Sequence, residues 1–180
     1  MFLFLWRKRS MRKIDAAACF VLFFATLFVA PSAAAAYDAN GVALGAGEDD
    51  IKKRFPSAFC KALEWASRAA DRRCDDAKIS FGGAEGRITF YLRKGAVQAF
   101  DVRFDTKDLD RVAAQLKTRY GKPFSEVKDV VGPQGKQREL YKVLWESGTD
   151  RAVLTSQLDK KQASLLVSRG DFDEEIYRVR

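Results

Sequence analysis

Apolar residues return every three or four positions from Leu109 to Tyr120, with Val112 and Leu116 between them, and the run halts at Gly121-Lys122-Pro123. That spacing lines one face of an α-helix, with Thr106 as the expected N-cap and Asp108 and Asp110 acidifying the first turn. Glu48, Asp49 and Asp50 open a shorter helix in which Ile51 and Phe55 lie four apart and Pro56 stops the run. A further helical stretch is expected over residues 62–70.

Elsewhere the period falls to two, the mark of strands with one buried face. Over residues 87–93, Ile88, Phe90 and Leu92 alternate with Thr89, Tyr91 and Arg93; over 97–104, Phe100, Val102 and Phe104 share one side. Further strands are predicted at 78–81, 140–146 (Tyr141, Val143 and Trp145 on one side), 152–158 and 163–169, with turns at Gly82-Gly83 and Lys94-Gly95. Residues 131–138 read as a loop around Gly132-Pro133 and Gly135. Residues 37–47 read as a linker or a loosely held first strand through Val42 and Leu44.

These elements predict an α+β protein of two tandem units, 48–105 and 106–180, each a helix packed on a three- to four-stranded antiparallel sheet, the second ending in a tail. The halves share the order helix, stop, loop, strands. At an offset of 64, Ile79 and Phe81 fall on Val143 and Trp145, and Arg87 on Arg151.

The first 36 residues read as a secretory signal. Arg12 and Lys13 precede the apolar run 14–30, and Pro31, Ser32 and an Ala tract ending at Ala36 follow it. Met11 makes a complete signal start, so residues 1–10 are read as lying upstream of the working start codon; a long basic leader is the alternative. The other reading of the apolar run is a retained anchor, because about 17 apolar residues is the lower limit for spanning a bilayer. Cleavage leaves a chain without a span, placed in the periplasm or secreted. It also removes five basic residues and one acidic one from the total of 32 and 24, leaving 27 against 23. A net charge of +4, with basic and acidic residues interspersed, does not point to nucleic acid.

An exported chain that keeps Cys60 and Cys74 is expected to bridge them. With no His anywhere, Ser/His/Asp and Cys/His nucleophile systems and His-ligated zinc are excluded. Carboxylate pairs at Asp49-Asp50, Asp75-Asp76 and Asp171/Asp173 read as helix-start or loop acids, and Gly82-Gly83 with Gly86 as a turn, so no catalytic residue, metal ligand or cofactor is assigned. Trp65 is singled out because it lies in a polar segment without apolar period.

Leu44-Gly45, the acid-led stretch 48–55 with its Pro56 stop, Ile88-Thr89-Phe90-Tyr91-Leu92, Gly95, Val97 and Phe104 follow one another in a helix, strand, turn, strand order. Tyr120-Gly121-Lys122-Pro123 and Trp145-Glu146-Ser147-Gly148 repeat it. Over residues 44–169 this resembles the periplasmic SmpA/OmlA (BamE) modules and the tandem β-lactamase inhibitor protein fold. The resemblance implies binding through the open face of a concave sheet, where Tyr91, Arg93, Asp101, Arg103 and Lys142 are the outward residues. Outer-membrane members are lipoproteins, whereas Cys19 lies ahead of most of its apolar run and cannot be the lipidated residue. The expected function is therefore an exported binding module with another envelope protein as partner; the alternatives are a small enzyme using carboxylates or a Lys/Tyr pair, or an envelope structural protein.

Cleavage near Ala36 predicts Tyr37 or a neighbour as the N-terminus of protein taken from its native envelope. Mass spectrometry checks this, and a chain retaining residues 20–29 refutes it.

Overall fold

A computed structural model describes residues 37–131, 138–157 and 161–177; the expected signal segment and most of the loop expected at 131–138 lie outside them. The chain after Tyr37 is not a linker. Strands β1 (Asp38–Ala39) and β2 (Val42–Ala43) form a small hairpin, with Ala39 opposite Val42. Asn40 and Gly41 occupy its turn at positive φ, the conformation such dipeptides adopt without strain. Tyr37, Ala39 and Val42 are buried, and the Tyr37 ring meets Tyr120 edge-on at 4.7 Å. Tyr120 in turn donates its hydroxyl to the Asp38 carbonyl, and Arg119 pairs with the Asp38 carboxylate at 2.6 Å.

Helix α1 (Glu48–Arg54) forms where expected, its Asp50 carboxylate accepting from the Gly47 N–H, and Ile51 and Phe55 point into the core. The helix expected over 62–70 does not form. Strand β3 (Phe59–Ala62) pairs instead with β4 (Arg72–Phe81), Cys60 directly opposite Cys74. The two cysteines are bridged, as expected. Pinning both ends of the excursion on a hairpin, with only nine residues between Ala62 and Arg72, leaves a polar segment that bonds Leu63 N to Asp71 O and Asp71 N to Leu92 O.

Strands β5 (Ala84–Arg93) and β6 (Ala96–Phe104) continue a meander, turning at Gly82-Gly83 and Lys94-Gly95, all four at positive φ. A short 3₁₀ turn at Thr106–Asp108 leads into α2 (Leu109–Tyr120). The side chain of Asp105, rather than Thr106, caps this entry by accepting from Lys107 N. Strand β7 (Ser125–Val131) shows no alternation in the sequence, since Glu126, Lys128 and Asp129 crowd it and none of residues 125–129 is buried. Strands β8 (Arg138–Ser147), β9 (Asp150–Gln157) and β10 (Ala163–Arg169) follow, then a short helix α3 (Phe172–Glu175).

Strands β3 to β10 form one antiparallel sheet in the order β3-β4-β5-β6-β10-β9-β8-β7. The fold is thus α+β with a large antiparallel sheet. The last strand of the chain sits at its centre, where β10 pairs with β6 in a register that sets Leu165 against Val102 and Val167 against Phe100. One sheet face, carrying Ile88, Phe90, Val102, Trp145, Leu154 and Leu165, is covered by α1, α2 and the β1–β2 hairpin in a single buried cluster. Phe90 meets Phe55 of the α1 end at 5.2 Å and Phe100 of the next strand at 5.9 Å. Trp145 satisfies its indole N–H on the Gly121 carbonyl just past α2. Among the described residues no helix is long and apolar enough to cross a membrane.

Two substitutions probe this packing. Phe90→Ala should lower unfolding stability by about 3–5 kcal/mol, as for other large buried aromatics. Gly86→Ala should also destabilise, because a Cβ there would stand 2.4 Å from the Arg103 carbonyl oxygen of the neighbouring strand. Denaturant unfolding checks both.

Candidate binding face

On the other sheet face, register aligns residues in rows. One row runs Leu144, Val153, Leu166, Asp101, Thr89 and Asp75 across β8, β9, β10, β6, β5 and β4. The row beside it runs Lys142, Thr155, Ser164, Arg103 and Arg87. An apolar stretch at one end of the first row thus borders on a mainly basic and hydroxylic strip.

The tail decides which part of this face remains open. Gly170, at φ 56°, turns the chain after β10, and its N–H bonds to the Thr149 carbonyl. The tail then lies over the face. Phe172 and Ile176 are buried in a second cluster with Ala69, Ala70 and Ala99, flanked by Leu63, Trp65, Tyr91 and Leu166. The reading of the tail acids as a solvated helix start therefore holds for Asp173 but not for the apolar residues between them. Segment 63–70 clasps the tail from the side. Trp65 donates its indole N–H to the Ile176 carbonyl at 2.9 Å and stacks on Tyr177, and the Ser67 hydroxyl donates to the Glu175 carbonyl.

The six residues singled out from the sequence fall in three places. Trp65 and Tyr91 belong to the tail cluster, and Tyr91, expected on an open face, is half-buried with its ring 5.4 Å from that of Phe172. Burial pushes its phenol pKa up, with Asp101 adding to the effect. Arg93 lies on the far side of the tail, in a cleft with Arg68, Arg169 and Asp171. Asp101, Arg103 and Lys142 line the open part. Burial raises the Asp101 carboxyl pKa, opposed by Arg103, whose Nε donates to it at 2.6 Å.

Beside the tail the open part forms two adjoining depressions. One, of about 520 Å³, is lined by Lys142, Leu144, Arg151, Val153, Leu166 and Asp173. The other, of about 250 Å³, includes Tyr91, Asp101, Arg103, Leu166 and Tyr177; both share Ser164, Leu166 and Asp173. Leu144, Val153 and Leu166 were missed in the sequence. Their signal lay in the uninterrupted runs Val143-Leu144-Trp145, Ala152-Val153-Leu154 and Leu165-Leu166-Val167, which put apolar side chains on both faces of a strand.

No catalytic constellation is assembled among the described residues. Among the described residues one group of potential metal ligands comes together, Glu48, Cys60 and Cys74, and its sulfurs are bonded to each other. Asp76 is held by the Ser57 hydroxyl and Lys78 N, and Asp75 by Thr89 and Arg73. Lys117 and Tyr141 do meet, on the Glu126 carboxylate, but burial first and that carboxylate second push the Tyr141 phenol pKa up, away from use as a base. Comparison with protein-family models, with curated proteins and with solved structures finds no match.

Trp65→Phe keeps an aromatic ring at the site and removes the donor to Ile176, whose loss costs about 1 kcal/mol beyond that of the smaller ring. The amides of Glu175 and Ile176, bonded to Asp171 and Phe172 carbonyls, should then exchange with deuterium faster while those of β5 and β6 do not change.

Proposed function

We propose that this chain is an exported binding module whose partner, another protein of the cell envelope, docks on the open sheet face beside the tail. The observation that carries this reading is the partly buried row Leu144, Val153 and Leu166, three apolar side chains in direct cross-strand register; the tail touches Leu166, and Leu144 and Val153 have no covering element among the described residues. Natural sheets normally cover such a row or make it polar. Lys142 and Arg87, in the adjoining row, form no ion pair among the described residues. The partner chemistry that fits is an apolar segment flanked by carboxylates, which would fill the depression and meet Lys142 and Arg103.

The module is best read as two tandem units that share one sheet. Four features support a duplicated unit: α1 precedes β3–β6, α2 precedes β7–β10, Ile79 and Phe81 on β4 match Val143 and Trp145 on β8 in facing the core, and the final strand of each unit pairs with that of the other. The resemblance to the SmpA/OmlA and β-lactamase inhibitor folds points the same way, toward sheet-face recognition. Export rests on the leader, and with it the periplasmic or secreted location.

Capture of a partner from a periplasmic extract, with wild-type and variant protein side by side, tests the reading. Lys142→Glu and Leu144→Glu should each abolish capture. Lys142→Glu should shift thermal unfolding by less than about 0.5 kcal/mol equivalent, since the site is exposed. Arg93→Glu, on the far side of the tail, should leave capture intact. Capture that survives both face substitutions sinks the proposal.

A further inference from the structure

The outer edge of β7 combines apolar exposure with self-complementary charge. Phe124 and Val127 are 74 % and 47 % exposed, two of the four large apolar side chains exposed among the described residues. Among those residues β7 pairs only with β8, so the backbone groups on its other side have no strand partner. An edge of this kind invites another strand. The opposite edge, β3, is four residues long and bridged covalently to β4.

Charged side chains ordinarily protect an edge, so the order of charges along β7 decides whether a strand can add. Consider two copies of β7 paired antiparallel about a two-fold axis. Opposed residues must carry their side chains on the same face, so the axis passes through a residue position and never between two. Centred on Glu126, Lys128 or Asp129, the pair sets a charge against its own copy. Centred on Ser125, it draws Pro123, which lacks an N–H, into the ladder. Centred on Val127, it sets Glu126 against Lys128 of the partner subunit, and Lys128 against Glu126 of the partner subunit. Val127 then packs on Val127 of the partner subunit across the axis.

The local structure suits this register. Glu126 is already oriented by the Lys117 ammonium at 2.8 Å and the Tyr141 hydroxyl at 2.6 Å, on the same side as Lys128. Lys128 has no ion pair of its own among the described residues. We propose that β7 pairs with β7 of a second copy of this chain, antiparallel and centred on Val127, so that the two sheets continue across a two-fold axis. The seam runs along the outer edge of the sheet, and Val127, opposite Lys142 in register, borders the face proposed above for the envelope partner.

Sedimentation of protein purified after expression of the full-length chain, over a concentration series, tests the pairing. The wild type should show a monomer–dimer equilibrium. Glu126→Lys, Lys128→Glu and Val127→Lys should each weaken it by about tenfold or more, because like charges then oppose one another at the axis. An equimolar mixture of Glu126→Lys and Lys128→Glu chains should dimerise as tightly as the wild type, since every charge in the mixed pair meets its opposite. Unfolding curves establish that each variant is folded. If Glu126→Lys fails that check through loss of the acceptor for Lys117 and Tyr141, Lys128→Glu and Val127→Lys decide alone. A wild type that is monomeric at every concentration overturns the proposal, as does a dimer indifferent to the substitutions or a mixture of folded variants that does not recover.

Discussion

Eight strands in one sheet present two broad faces, and a chain of this size has few elements with which to cover them. The β1–β2 hairpin, α1 and α2 all lie on one side, where Ile88, Phe90, Trp145 and Leu165 join their apolar faces. Among the described residues, what remains for the other side is segment 63–70 and the tail. These reach across Tyr91, Ala99 and Leu166, and the area beside β8 and β9 has no cover among the described residues.

The clasp that sets the limit is built from distant parts of the sequence. The disulfide fixes Cys60 opposite Cys74, which anchors both ends of the 63–70 excursion on one hairpin. From there Trp65 reaches the carbonyl of Ile176, 111 residues away. Helix α3 has only four residues, too few to hold a helix in water, so its conformation depends on the docking of Phe172 and Ile176. Order in the tail and coverage of the face are therefore one event.

Elements with a single buried face were legible in the sequence. Helix α2 and strands β5 and β6 declare themselves because Val112, Leu116, Ile88, Phe90, Phe100 and Val102 fall on the period that their backbone imposes. The bridge between Cys60 and Cys74 was legible from compartment and count. Less was visible where position depends on distant partners. Residues 37–47 look featureless until Tyr37 meets Tyr120, although Asn40-Gly41 carries a hairpin signal of its own. From Ser125 to Asp129, strand β7 has no buried residue to write a period into its sequence. At the binding face, alternation correctly put Tyr91, Asp101, Arg103 and Lys142 on the side away from the helices, but could not reveal that a tail from the other end of the chain covers Tyr91 and spares Lys142.

The central place of β10 bears on how the molecule comes into being. Residues 163–169 are made after all the other strands of the sheet, yet they occupy its middle, between β6 and β9. Until they arrive, β6 and β9 are each unpaired on one side, leaving edges that bear Phe100, Val102 and Leu154. Neither half can complete its sheet during synthesis, and a chain cut short before residue 163 has two apolar edges with nothing to join them. Such a chain is a substrate for chaperones and proteases, and the eight-stranded sheet becomes one body only when β10 joins β6 to β9.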